Sequence, residues 1–577
     1  MDVPSLRSSA IISPFGARLL LWSVGLVLLI PGLGGPRLLT YHEVVFAQPA
    51  REMLASGRWL VPEIAGVVFP DKPPLAHWTA ALGMVQFGEN EFAVRLPFAL
   101  AGVLLAALVT ELGIAFWGAV AGAAAGLIQL TCFYTLMQAR LAECDILLAL
   151  AVTGGLTAFA FVEVLSRPFA LRYVLALHAG AAGAFLAKGP IGLVFLGGPI
   201  LAFLILERRA HFLARWLHPV GLLVSLSAVV GWPLAAALSR PEIIDGWKQH
   251  NLDRFSGALE AEATRPTFYL TMIPLLLLPW TPWIVWGWWS HRRTDRRDVA
   301  RLRRFTLCWI IPGLIVISAA SWRHKHYAIP LLPPLSLWGA AGVMAWSHAA
   351  RRSISAVNSN RSGIADRALS SDRIAGLTRL QWRLAIAVTL IGAGLALARQ
   401  AGSDNFDVLW PLAFWIPLGS AVVSQLRSLA RLRLATIALF ITVGVTSAWS
   451  LQRVVPRFDS YADQAVFAQR ISARIGDEPL FVPHIPTGPG VPLALPENQI
   501  AFYLPLNLHL MPDDGAQTNP AEWVLAPAWM GSRLNGFTAV DQVDRIRGLM
   551  TPADRLTLFH RSTTEAHRAP RDTQYAN

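Results

Sequence analysis

Apolar residues in this chain come in long runs separated by short polar segments. "LLLWSVGLVLLIPGLGG" (19–35) and "ILLALAVTGGLTAFAFVEVL" (146–165) are two of them. Runs of roughly 18 or more apolar residues are long enough to cross a hydrocarbon core about 30 Å thick. A spanning helix satisfies its own backbone hydrogen bonds in lipid, so runs of this length predict helices. The pattern predicts thirteen spans, over 16–33, 92–112, 115–136, 145–164, 171–187, 190–206, 217–238, 267–289, 305–321, 327–347, 383–399, 409–425 and 432–450. The expected fold class is an all-α polytopic membrane protein over residues 1–450. The first run has the length of a signal peptide. No small-residue cleavage site follows "IPGLGGPR" and twelve spans come after it, so it reads as a retained helix.

The polar segments are unequal. Residues 34–91 form the longest outer loop. In it, "EVVFAQPAREMLASG" has helical spacing and ends at glycine, and "FPDKPPLAHWTAALGMVQFG" starts with a rigid proline turn before resuming amphipathic periodicity. Two interfacial helices joined by a stiff turn are expected there. Residues 348–382 are serine-rich and basic, the composition of a flexible cytoplasmic linker. In residues 451–577 short apolar runs such as "PLFVPHI" and "EWVLAP" alternate with helix-like stretches, predicting a small periplasmic α/β domain.

Charge refines this picture. Only 15% of the residues are charged, yet the formal net charge is +13. With the N-terminus cytoplasmic, arginine and lysine concentrate in inside segments such as "SRPFALR", "ERRAHFLAR" and "HRRTDRRDVARLRR". That is the positive-inside bias of a membrane protein, and it argues against nucleic acid, whose basic patch would need a soluble domain. The cysteines Cys132, Cys144 and Cys308 have neither metal spacing nor a disulfide framework.

Sorted by side, the outer-face ionisable residues are Glu43, Asp71, Lys72, Arg140, Glu143, Asp145, Lys188, Arg254, Arg323 and Lys325, with His42, His250, His324 and His326. They come from five loops and sit near helix ends, where charge is costly and tends either to mark function or to pair. Each has a plain reading too. Glu43 could be a solvated carboxylate, Asp145 a helix N-cap, Lys72 and Lys188 snorkelling ammonium groups, and the histidines of "RHKHY" interface decoration. Taken together, carboxylates with a ring of cations at one depth describe a site for a phosphate-bearing amphiphile beside an acid–base group.

The stretch "YHEVVFAQPAREMLASGRWLVPEIAGVVFPDKPPLAHWTAALGMVQFGENEFAVRLP" resembles the first outer loop of bacterial lipid-linked glycosyltransferases, the group of protein O-mannosyltransferases and of aminoarabinose transferases that modify lipid A. The likeness continues through "ARLAECDILLAL", "FLAKGPIGLV", "KQHNLDRFSG" and "RHKHYAIPLLPPL", and weakly into "ENQIAFYLPLN". "DKPPL" followed by tryptophan, and "KGPIG", are specific when found together. The resemblance implies the GT-C fold. It also implies transfer of a sugar from a polyprenyl-phosphate donor to a lipid, glycan or protein acceptor at the outer face of the inner membrane. Glu43 matches the family's acidic residue that orients or deprotonates the acceptor, and Asp145 matches a second carboxylate. Lys72, Lys188, Arg254 and Lys325 match the cations that hold the lipid phosphate, and Tyr327 matches a tyrosine near it. The chain departs from the pattern at His42, where many members have aspartate, and at Val45 and Phe46, where arginine and tyrosine are common. His42 could act as base, share that role with Glu43, or contact the acceptor.

A polyprenyl phosphate is a good leaving group, so positioning and charge stabilisation matter more than strong base catalysis. Direct attack at the anomeric carbon would invert configuration. Hard oxygen ligands would suit magnesium or manganese, and zinc is a further candidate, although the sequence has no compact metal motif. The rival readings are a lipid or solute transporter and an inactive scaffold paralogue. A transporter usually places polar groups near the midplane in repeated halves, whereas here they cluster at one face and no repeat is visible.

Overall fold

The computed structural model describes residues 12–35, 41–70, 72–248, 267–292, 297–320, 323–358, 432–454, 462–482, 498–504, 506–511, 522–534, 536–543 and 555–561. The chain divides into two compact units. The first, residues 1–35, 72–235 and 253–458, is mostly helical. Its elements include α1 (Pro14–Leu29), α3 (Leu75–Phe87), α4 (Glu91–Trp117), α5 (Ala119–Thr131), α6 (Phe133–Gln138), α7 (Cys144–Glu163), α8 (Leu171–Lys188) and α9 (Pro190–Leu206). Among the described residues, five helices are long and apolar enough to cross a membrane: Glu91–Trp117, Cys144–Glu163, Pro219–Ser239, Val299–Ala319 and Lys325–Ala345. The protein is a multi-pass membrane protein.

Several expected spans take a different form. The run 115–136 breaks at Cys132, whose backbone is extended, into α5 and α6. The run 267–289 is a pair, Phe268–Leu276 and Thr281–His291, bent by 104°. Pro274, Pro279 and Pro282 each remove a helical N–H there. The break is put to use, because Phe133 N donates to Leu278 O (2.8 Å) and anchors the start of α6. The helix Leu332–Asn358 runs into the segment read as a linker, so residues 348–358 are helical. The expected spans 383–399 and 409–425, with residues 359–382, lie outside the described residues.

Helices in lipid gain little from hydrophobic exclusion, so small residues that allow close backbone approach hold them together. A Cβ on Gly287 would lie 1.9 Å from Trp338 O, and one on Gly342 the same distance from Trp283 O. Polar groups are bonded across the same layer. Ser336 Oγ donates to Gln129 Oε1 (2.8 Å), Gln129 Nε2 to Thr135 Oγ1 (2.9 Å), and Trp280 Nε1 to Thr131 Oγ1 (2.9 Å). At the end of α7 remote from Asp145, Arg215 pairs with the buried Glu163, which Trp216 Nε1 also reaches (3.0 Å). Asp145 and Glu163 are eighteen positions apart on one helix, about 27 Å at 1.5 Å per residue.

The second unit comprises residues 36–71, 236–252 and 459–577. It contains α2 (Tyr41–Ser56) and a hairpin of β1 (Glu63–Ile64) and β2 (Val67–Val68). Ala65 and Gly66 turn the hairpin with positive φ (53° and 77°), as a two-residue hairpin loop requires. The hairpin precedes the expected proline turn of "FPDKPP", in a stretch for which the sequence predicts no strand, and α2 and α3 fall in different units. The C-terminal part is a five-stranded mixed sheet in the order β4-β3-β5-β7-β6. Its strands are β3 (Leu480–Val482), β4 (Leu508–Leu510), β5 (Trp523–Pro527), β6 (Phe537–Val543) and β7 (Leu556–Arg561). The three strands β4, β3 and β5 are parallel, while β7 and β6 continue antiparallel. The helix Ala462–Ile475 buries Phe467, Ala468, Ile471 and Ile475 on one face, the spacing of an amphipathic helix.

Burial holds the Glu52 carboxyl on α2 above its ordinary range, although Ala65 N and Gln48 Nε2 (both 2.9 Å) donate to it. The folded state therefore binds this proton more tightly than the unfolded chain. The stabilisation is complete below the ordinary pKa of about 4.3 and is lost as pH rises through the raised value. Replacing Glu52 with glutamine should make thermal stability fall less between pH 5 and pH 8 than it does in the parent. Melting curves of the detergent-purified proteins at the two pH values measure this. Equal slopes would contradict it.

Candidate functional site

In the helical unit the site grows from three helix ends. α8 stops at Lys188 because Gly189 takes φ 72°, and Pro190 then starts α9 at its first turn. This is the structural content of "LAKGPIG": glycine ends one helix and proline opens the next. A Cβ on Gly192 would lie 2.1 Å from Ala184 O, so only glycine lets α9 pack this closely on α8. α7 begins at Cys144, which places Asp145 in its first turn and Glu143 at the N-cap position. Asp145 is therefore not the N-cap. Glu143 makes no side-chain cap; its Oε2 accepts instead from Gln138 Nε2 (3.0 Å), which also reaches Tyr134 Oη (3.3 Å).

Lys188 Nζ donates to Asp145 Oδ1. Their side chains are 9% and 5% exposed, so water does little to screen the pair. The same ammonium lies 4.2 Å from the centroid of the Tyr327 ring, a cation–π contact. Tyr327 sits on the 3-10 helix Lys325–Leu331, packed edge-on against His326 with ring centroids 4.8 Å apart. Tyr269 Oη donates to His324 O (3.0 Å) and fixes the approach of that segment. Lys325 is exposed, with Nζ 5.9 Å from the Tyr134 ring. Lys72, half-buried ahead of α3, is close enough for its charge to act on Cys144. The three cysteines are free and buried.

Residues 71–232 match the family of dolichyl-phosphate-mannose-protein mannosyltransferases. Two curated relatives are named undecaprenyl phosphate-alpha-4-amino-4-deoxy-L-arabinose arabinosyl transferase. One, from Shewanella sediminis, is 29% identical over 60% of this chain and 61% of its own length. The other, from Pseudomonas savastanoi pv. phaseolicola, is 27% identical over 69% of this chain and 74% of its own length. The chain thus spans somewhat under two thirds of the Shewanella protein. Its structure superposes on ArnT from Cupriavidus metallidurans bound to undecaprenyl phosphate, with a TM-score of 0.68 and 19% identity over 94% of this chain and 97% of that one. Over residues 71–232 the chain is similar to this mannosyltransferase family, and its fold is that of the ArnT structure.

Within this fold, the structure brings together Asp145, Lys188 and Tyr327, with Lys325 and Lys72 nearby. Glu43 lies in the other unit, in the first turn of α2, and is fully buried. His42 precedes it on the same helix. Arg254 lies outside the described residues. The tail motif "ENQIAFYLPLN" acquires a role within the second unit. Arg51 of α2 donates to Leu504 O (2.6 Å) and to Phe502 O (3.4 Å), tying the helix of Glu43 to the C-terminal segment.

Sequence reasoning gave no role to Tyr134, Gln138 or Tyr269, and listed Glu143 and His326 only among the outer-face charges. Tyr134 was concealed because the run 115–136 reads as one apolar helix, and Gln138, just beyond that run, carries no charge. The available signal was the Glu-x-Asp spacing of Glu143 and Asp145 at a helix start, which turns both carboxylates into one region.

Proposed function

We propose that this protein is an inner-membrane glycosyltransferase whose site faces the periplasm and whose donor is a polyprenyl-phosphate-linked sugar. A 4-amino-4-deoxypentose is the sugar that its curated relatives favour. Lipid A is the acceptor the sequence resemblance favours. The observation that carries the reading is the buried Lys188 ammonium, held by Asp145 against Tyr327 at one end of a membrane-length helix. A fixed, poorly hydrated cation of this kind suits a departing phosphate, whose negative charge grows as the glycosidic bond breaks.

The acceptor oxygen forms a bond to the anomeric carbon as the bond from that carbon to the phosphate oxygen breaks. The bonding pair leaves with the polyprenyl phosphate, and the configuration inverts. When the acceptor is a hydroxyl, its proton passes to Glu43, and His42 beside it contacts the acceptor. Lys188, Lys325, Tyr327 and Lys72, with Arg254, receive the phosphate. An acceptor phosphate that is already ionised needs no base, and Glu43 then orients it.

Mass spectrometry of envelope lipids and glycans from cells with and without the gene tests this reading. A glycosylated species lost on deletion and restored by the parent gene supports it, whereas identical profiles would overturn it. A transporter or scaffold would in addition be restored by an inactive Glu43 variant. Lys72→Ala should raise the donor KM about tenfold, the worth of one half-buried charge-assisted contact of roughly 1.4 kcal/mol. Initial rates in membranes supplied with donor lipid read this out. Unchanged KM and kcat would remove Lys72 from the phosphate contacts.

A further inference from the structure

The end of the helical unit remote from Asp145 collects charge from three segments of the chain. Residues 163–172 leave α7, residues 207–218 follow α9, and residues 297–304 open the helix Arg297–Ala319. Together they hold nine arginines against three carboxylates. Glu163, fully buried, is shared by Arg215 Nε (3.1 Å), Arg209 Nη1 (3.4 Å) and Trp216 Nε1 (3.0 Å). Glu207 is shared by Arg304 Nε and Arg301 Nε (3.7 Å), and Arg301 Nη1 donates to Ser166 Oγ (3.3 Å). The charges of Arg209, Arg304, Glu163 and Glu207 all act on Arg301, so these pairs form one cluster. We propose that this cluster binds the phosphate headgroup of an anionic phospholipid, at the end of the bundle opposite Lys188. The inference rests on the membrane-spanning fold and not on the sugar-transfer chemistry, so the two are tested apart.

Charge, geometry and depth agree on that ligand. Each of the two carboxylates already meets two arginines, and the third, Asp298, has a side chain outside the described residues. With all three counted as ionised, the segments still carry a large positive excess. The carboxylates lie beneath, at 0% and 15% side-chain exposure, whereas Arg209, Arg215, Arg301 and Arg304 are 28%, 30%, 22% and 40% exposed. The open side of the cluster is therefore positive. Arg209 and Arg215 stack on the Phe212 ring, 4.3 and 4.4 Å from its centroid, and Arg215 lies 5.1 Å from that of Phe169. Stacking occupies the guanidinium faces and leaves in-plane N–H donors, the fork that arginine presents to phosphate. The depth suits a lipid. Glu163 and Arg301 lie at the ends of membrane-length helices, and Ile205, Leu206 and Leu217, next to the cluster in sequence, are exposed. Acyl chains can lie on such a flank while the headgroup meets the arginines, as in basic pockets between spanning helices. A soluble anion would use the charge but not the apolar flank.

The probe is palmitoyl-oleoyl-phosphatidylglycerol, added to full-length protein purified and delipidated in detergent, with the matching phosphatidylcholine as control. The anionic lipid should raise the melting temperature at a concentration about tenfold lower than phosphatidylcholine requires. Inorganic phosphate should act no more strongly than sodium chloride of equal ionic strength. Arg209→Gln and Arg304→Gln should each raise the required phosphatidylglycerol concentration about fivefold, and together at least about tenfold. Arg18→Gln removes a guanidinium paired with Glu111, outside the cluster, and should respond like the parent. In the parent, phosphatidylglycerol should also slow phenylglyoxal modification of Arg209 and Arg304 but not of Arg18, read by mass spectrometry of the peptides. If the arginine variants fail to fold, this protection decides. Equal responses to the two lipids, an unchanged response in the double variant, no protection, or an equal loss in Arg18→Gln would overturn the site. A response to inorganic phosphate matching that to the lipid would assign the cluster to a soluble anion and overturn it as a lipid site.

Discussion

Glu43→Ala is expected to abolish sugar transfer, by at least about 100-fold, the lower end of what a positioned acid–base group contributes. The carboxylate is fully buried in the first turn of α2, whose helix is tied to the C-terminal segment through Arg51. A carboxylate kept in such a place has given up solvation, which suits a proton acceptor or an orienting group more than a solubilising charge. Glu43→Gln keeps the volume and removes the charge, so it separates chemistry from packing. Both variants should accumulate in membranes and bind donor lipid like the parent, with the loss confined to kcat. Rates measured in membranes supplied with donor lipid and acceptor provide the check. Transfer within a few-fold of the parent in Glu43→Gln would remove Glu43 from the chemistry, and His42 would then be the next residue to replace.

Lys188→Ala should do damage of two kinds. It leaves the Asp145 carboxylate buried without its ammonium partner. Breaking a buried ion pair from one side costs roughly 3–5 kcal/mol. It also removes the cation stacked on Tyr327, so donor use should fall by 100-fold or more. The two effects separate in a cycle of mutants. Asp145→Ala with Lys188→Ala removes both charges and should recover most of the lost thermal stability while transfer stays absent, a strong non-additivity between contacting residues. Melting curves in detergent give the first quantity and donor-dependent rates the second. If the double variant also regains transfer, the pair is purely structural and the phosphate is held elsewhere.

These expectations draw unequally on sequence and structure. That the chain is helical and crosses the membrane several times is legible in the apolar runs, because lipid allows so few alternatives. The break between the expected spans 171–187 and 190–206 was also legible; it falls at Gly189, which takes positive φ, and Pro190, which opens the next helix. Less could be read where an apolar run contains a break. The sequence 115–136 has no polar punctuation at Cys132, and 267–289 holds prolines whose effect on a span depends on what satisfies the freed carbonyls. Here Phe133 N takes up Leu278 O, a partner more than a hundred residues away in sequence.

By itself the sequence determined the helical, membrane-spanning character of the chain and the inventory of charges, because helix formation in lipid is settled within a few turns of chain. It also singled out Glu43, Asp145 and Lys188 as candidates, through the resemblance of their motifs to a known family. The tertiary structure alone decided the partners. Lys188 found Asp145 across forty-three positions, and Tyr327 came under that ammonium from another helix entirely. The same packing brought His326 into reach of two carboxylates that the sequence left as separate surface charges. Ion pairing and cation–π contact depend on distances of a few ångströms between elements remote in the chain, and those distances are set by how the helices pack.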